Sequence, residues 1–257
     1  MKIAAYQMES VPGDVDANLA KIETAARAAA AKGVSILIAP ELALTGYGAG
    51  RAVREKAETS DGAQVARLAD IAAETGVAIL AGFSERDGET LCNSAVYVDG
   101  EAVPTIYRKC NLYGPYERGL FEQAKPDSVT FERGGLKFGI LICYDVEFPE
   151  NVRRLARAGV DVVLVPTALP ASDHDAFIAR KLVPVRAFEN QVFLAYADHC
   201  GADERFAYAG LSVIVAPDGT LLAEAGETGE ALLVAEIDPS RYQASAEANS
   251  YLADLNA

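Results

Sequence analysis

The stretch FGILICYDVEFPE, residues 138–150, decides how this chain is read. An apolar run leads straight into Cys143, followed by Tyr144 and Asp145. Glu147, Pro149 and Glu150 then open a helix. The run suits a strand buried inside a sheet. A cysteine ending such a strand is most often an inert small hydrophobe. Here a helix start follows, where backbone N–H groups and the helix dipole favour a thiolate. A sharp strand-to-helix turn also exposes a nucleophile. It offers the N–H of the next residue, Tyr144, as a donor to an oxyanion.

Working outward, the same pattern of apolar strand and polar tip recurs. VSILIAPE (34–41) ends on Glu41, VDVVLVPTALP (160–170) carries Thr167, and VFLAYAD (192–198) ends on Asp198. KIAAYQ (2–7), VAILAGFSE (77–85) and EALLVAEID (230–238) read as further strands. Residues 91–109 read as a hairpin turning at Asp99-Gly100 and ending on Lys109. Two more hairpins turn at Gly134-Gly135 and at Pro217-Asp218-Gly219. Helices are expected over 17–32, 62–76, 150–158 and 175–191, the last kinked or reset by Pro184. Residues 42–60 and 110–127 read as irregular, and the last 19 as a polar tail. Strand–helix units alternating with hairpins predict a large mixed sheet or two packed sheets with helices outside. Chemistry should collect at the carboxyl ends of the strands. No Pro/Ser-rich seam interrupts the chain, so a single domain over 1–257 is expected.

A formal net charge of −14 repels nucleic acid and anionic membranes, so neither is expected as a partner. The N-terminus MKIAAYQMES lacks the basic and apolar regions of a secretory signal. No apolar run approaches the roughly 20 residues of a membrane span. Cys92, Cys110, Cys143 and Cys200 form no C-x-x-C pair and read as thiols of a cytoplasmic protein. His174 and His199 stand in no metal-motif spacing, so no metal site is expected. TGYGAG (45–50) lacks the spacing and the Lys-Ser pair of a phosphate loop.

A cysteine nucleophile needs a base. His174 lies in the polar segment SDHD, which suits a solvated or capping role, and His199 follows a strand tip. Glu41 is more suggestive, since a glutamate at a buried strand end has its pKa raised toward the useful range. Lys109 beside a cysteine and a glutamate would favour the thiolate and donate to an oxyanion. Glu117 would offset or orient its charge.

Glu41, Lys109 and Cys143 in their local settings carry a resemblance. APELALTGY, YRKCNLYGPYE and GILICYDVEFPE, with DVVLVPTALP, RAFENQVFLAYAD and GLSVIVAPDG, resemble the nitrilase superfamily of carbon–nitrogen hydrolases, in order and over essentially the whole chain. The resemblance implies a four-layer α-β-β-α sandwich that pairs into a homodimer. It also implies a Glu-Lys-Cys triad at Glu41, Lys109 and Cys143, a second glutamate at Glu117, and no metal or organic cofactor. True nitrilases resemble one another in following the cysteine with tryptophan and glutamate. Here Tyr144 and Asp145 follow, and the chain has no tryptophan. That favours an amidase acting on small aliphatic or amino-acid-derived amides. An N-carbamoyl hydrolase is the alternative, a nitrilase ranks lower, and a non-catalytic binding protein on the same fold is the contrast from another class. Tyr47, Tyr116, Thr167 and Ala168 flank the triad and are expected to line the substrate pocket. Cys110 and Asn111 depart from the pairs often found after the lysine, and a second thiol there would be open to oxidation or adducts.

Overall fold

A computed structural model describes residues 1–255. Twelve strands form two six-stranded sheets. The first contains β1 (Lys2–Gln7), β2 (Val34–Ile38), β3 (Ala78–Asp87), β4 (Thr90–Val98), β5 (Thr105–Arg108) and β12 (Ala231–Glu236), in the order β12-β1-β2-β3-β4-β5. The second contains β6 (Thr130–Arg133), β7 (Leu136–Ile140), β8 (Val162–Pro166), β9 (Phe193–Ala197), β10 (Val213–Val215) and β11 (Leu221–Glu224), in the order β11-β10-β9-β8-β7-β6. Each sheet has three parallel central strands, β1-β2-β3 and β7-β8-β9, with antiparallel strands outside them.

The period-2 side-chain alternation of a strand separates two cores. Ile36 and Ile38 join Phe138, Ile140, Leu164 and Ala195 in the core between the sheets. Leu37 and Ile79 point the other way, onto α1 (Val15–Ala30) and α3 (Ala63–Thr75), through Ile22, Leu68 and Ile71. Asp14 caps α1 by accepting from Ala17 N–H, and Gly76 in the left-handed region closes α3. The outer face of the second sheet is covered by α5 (Pro149–Arg157) and by residues 175–190, through Val152, Leu155, Val183 and Ala187. Gly139 permits this packing, since a Cβ there would meet the Leu155 side chain at 2.9 Å. The layering is α-β-β-α.

Several elements differ from the sequence reading. The apolar strands end early, at Ile38 and Pro166, so Glu41 and Thr167 stand on turns beyond them. β3 runs directly into β4 through a two-residue turn at Gly88-Glu89, because Gly88 adopts φ +62°. Residues 42–60 contain a short helix, α2 (Arg51–Glu55), and 110–127 contain α4 (Gly114–Arg118) with Pro115 in its first turn. Pro184 does reset its helix. A π-turn, Ile178–Leu182, accommodates the missing N–H before helix resumes at Val183–Asn190. The expected polar tail holds short helical turns from Pro239 to Asp254.

Candidate active site

β2, β5, β7, β8 and β9 all deliver their carboxyl ends to one edge of the sandwich. β5 joins this set because it is antiparallel to β4, which is antiparallel to β3. Glu41, Lys109, Cys143, Thr167 and His199 follow those ends directly or within a short turn.

Lys109 is the centre. Its Nζ donates to Glu41 Oε1 at 2.7 Å and to Glu117 Oε1 at 2.7 Å, and all three side chains are without solvent exposure. Asn93 on β4 donates to the same Glu41 oxygen at 2.6 Å. Glu41 Oε1 is thus occupied twice, while buried Oε2 accepts no hydrogen bond among the described residues. Glu117 is held by Tyr47 Oη at 2.8 Å and by the Tyr113 N–H at 2.9 Å.

The electrostatics follow from burial. One ammonium balances one carboxylate, and a second carboxyl shares the same dry space. Burial pushes Glu41 up to about 7, against the pull of Lys109 and with a further push from Glu117. Burial alone would lower Lys109, but Glu117 and Glu41 outweigh it and hold the ammonium above the usual lysine range.

Cys143 adopts φ +46°, a region that L-residues avoid, and opens a 3₁₀ turn over Cys143–Glu147. Leu42, next to Glu41, is similarly placed at φ +49°. The backbone of Ala168 lies beside the cysteine sulfur and favours its charged form. Burial opposes the thiolate that the helix start suggests. Burial, then the neighbouring Glu41, push the Cys143 thiol well above its ordinary value despite Lys109. The N–H of Tyr144, second in the turn, meets no acceptor among the described residues.

Asp145 ties this turn to the lysine loop. One carboxylate oxygen accepts from Asn111 N–H (2.7 Å) and Cys110 Sγ (3.2 Å), and the other from Tyr107 Oη (2.9 Å) and Ile142 N–H (3.2 Å). Cys110 is therefore not the accessible second thiol that the sequence suggested. It is fully buried, and burial followed by Asp145 raises it to about 11. Thr167 O accepts from the Glu41 N–H, joining the two sheets at the site, and Thr167 Oγ1 turns back to Val165 O. Tyr116 donates to Tyr47 O from behind Glu117. The hydroxyls of Tyr47 and Tyr116 are thus committed to protein atoms.

The histidines separate. His174 is exposed. His199 is buried, and its Nε2 donates to Glu41 O at 2.7 Å. Burial lowers its pKa to about 4, so it supports the Glu41 turn as a neutral ring.

Sequence reading singled out neither Asn93, Asp145 nor Gly82 as site residues. Asn93 and Ser94 are the polar break in the apolar run of β4, which was the available signal. Gly82 has a clear steric reason. A Cβ there would lie 2.2 Å from Leu42 N and 2.6 Å from Glu41 Cα, so glycine lets β3 approach the Glu41 turn.

Residues 2–247 match the family model described as carbon-nitrogen hydrolase. A hydrolase from the region 5′ of pqqF in Pseudomonas protegens is 41% identical over 99% of this chain and 88% of its own length. A nitrilase from Pyrococcus abyssi is 36% identical over 93% of this chain and 90% of its own. The crystal structure of an amidase from Nesterenkonia sp. superposes with a TM-score of 0.88 at 34% identity, covering 99% of this chain and 92% of that one.

Proposed function

Because the chain belongs to the carbon–nitrogen hydrolase family, we propose that it is an amidase, converting small aliphatic or amino-acid-derived amides to acid and ammonia through Cys143. The observation that carries this reading is the Lys109 ammonium held between Glu41 and Glu117 in a pocket without solvent exposure, at the same strand edge as a strained cysteine. The similarity to the Nesterenkonia amidase, solved in one form with butyramide, supports amides as the substrate class.

The geometry gives each residue a task. Glu41 Oε2, free of other bonds, takes the thiol proton as Cys143 Sγ attacks the amide carbonyl carbon. Lys109 has three N–H donors, of which two are committed to carboxyls. The third, with the Tyr144 N–H, holds the tetrahedral oxyanion. Glu41 then gives its proton to the departing nitrogen, and ammonia leaves a thioester. Glu41 next deprotonates a water that attacks the thioester, and collapse returns the proton to sulfur and frees the acid. A carboxyl near 7 suits a group that both takes and returns protons at neutral pH. Glu117 anchors Lys109 between these steps. Ala168 lies beside the sulfur, and Thr167 O holds the Glu41 turn.

We propose also that residues 1–257 act as one domain and pair as a homodimer. Exposed Phe177 and Val185, on the helical segment covering the second sheet, support the pairing. Four free thiols suit a reducing compartment, the cytoplasm. Ammonia release from butyramide that disappears in Cys143→Ala, Glu41→Gln and Lys109→Ala, each still folded, is the expected test result. Undiminished release from Cys143→Ala would overturn the assignment.

A further inference from the structure

Glu147 closes the 3₁₀ turn that Cys143 opens. It is half-buried, and no donor among the described residues bonds its carboxylate. The neighbouring cations are already engaged. Arg186 gives its guanidinium to Glu189 and to the carbonyls of Val146 and Glu147, and Lys109 is divided between Glu41 and Glu117. The carboxylate nevertheless lies in the field of the reaction centre. It feels the charges of Lys109 and Arg186, neither of which bonds it, and it acts on the hydroxyl of Tyr196, a group that also feels Cys143. Burial raises the Glu147 pKa, as expected for an acid withdrawn from water without a bonded partner.

Its chain neighbours in the same turn carry an aromatic cluster. The Tyr144 ring meets Phe148 edge-on at 4.9 Å and Tyr113 at 5.2 Å, and Tyr113 is exposed. A half-buried carboxylate that no donor bonds is a receptor for an ammonium group, which gains a charge-assisted hydrogen bond. A protein rarely leaves a half-buried carboxylate unpartnered beside a reactive centre unless a ligand completes it.

We propose that Glu147 is a specificity residue: its carboxylate receives a positively charged amine on the acyl part of the substrate, so that cationic amides are preferred over neutral amides of the same shape. This rests on the amidase reading and narrows it to amino-substituted amides.

The test uses pairs that differ only by ammonium against methyl: glycinamide and propanamide, 3-aminopropanamide and butanamide, 4-aminobutanamide and pentanamide. kcat/KM for ammonia release is measured at neutral pH for the wild-type protein and Glu147→Gln. The wild type should favour the cationic member of at least one pair by about tenfold or more. Glu147→Gln should lose that preference through the cationic substrate alone, the neutral rate serving as the control for folding. Glu147→Ser should behave alike and replaces Glu147→Gln if that variant misfolds. Equal rates within every pair, or a preference that survives removal of the carboxylate, would overturn the proposal and leave the amidase reading standing. No ammonia from any amide would overturn the amidase reading itself, and this inference with it.

Discussion

Lys109 Nζ lies 2.7 Å from Glu41 Oε1, and neither side chain touches solvent. A buried ion pair of this kind contributes little net stability when intact, yet breaking it leaves an uncompensated charge. Lys109→Ala should therefore lower the unfolding free energy by about 3–5 kcal/mol. It should also lower kcat/KM by about a thousandfold or more, since an oxyanion donor is lost together with the balance of charge. Denaturant titration and ammonia release on the folded fraction check the two effects separately.

The pH dependence follows from Glu41. Its deprotonated form is the base, and burial places its pKa at about 7. kcat/KM should fall about tenfold for each pH unit below that value and level off above it. Alkylation of Cys143 by iodoacetamide should follow the same limb, because burial raises the thiol well above its ordinary value and Glu41 is the base that takes its proton. Glu41→Gln should remove the limb from alkylation and abolish turnover.

His199 predicts the opposite kind of effect, on stability. Its folded pKa of about 4 lies below the 6.5 of an unfolded histidine. The native state thus binds the proton less readily than the unfolded chain. The contribution is fully present above pH 6.5 and is lost as pH falls toward 4, about 3 kcal/mol in all. His199→Gln should flatten the wild-type loss of stability across that window, measured by chemical denaturation at a series of pH values. The limb of kcat/KM near pH 7 should stay in place, because His199 supports the Glu41 backbone and moves no proton.

Gly82→Ala tests the close approach of β3 to the Glu41 turn. The added Cβ would meet backbone atoms of Leu42, Glu41 and Pro40 within 2.6 Å, none of which can rotate away. Overpacking of this kind costs about 1–3 kcal/mol. Displacement of Glu41 should reduce kcat by about a hundredfold, as small misplacements of catalytic groups do. Steady-state kinetics with thermal unfolding would register both.

Asp145→Asn tests the clamp between the nucleophile turn and the lysine loop. The amide keeps the shape but cannot accept four donors. kcat should fall about tenfold or more with KM nearly unchanged, because Cys143 loses its placement and the substrate pocket does not change.

Much of this arrangement is legible in the sequence. Glu41 and Cys143 announce themselves because an apolar run ends beside each, and a strand's period and length are local properties. Lys109 follows from a hairpin whose second strand ends on it. Asn93 and Gly82 were not legible as site residues, because their roles arise only when β4 and β3 pair beside the Glu41 turn. The setting of Cys143 is hidden from the sequence for a related reason. A helix start in sequence suggests a dipole, but only the folded core reveals the burial that raises the thiol. The same burial makes Cys110 a structural thiol, which its position beside Lys109 does not disclose.

The central claim is that Cys143 carries the acyl group of the amide as a thioester. Acid-quenched intact-mass spectrometry during turnover of butyramide tests it directly. The account predicts a butyryl adduct that maps to Cys143, is discharged on standing, and is absent in Cys143→Ala, which releases no ammonia. Ammonia release by Cys143→Ala at the wild-type rate, with no adduct on the wild-type protein, would contradict it.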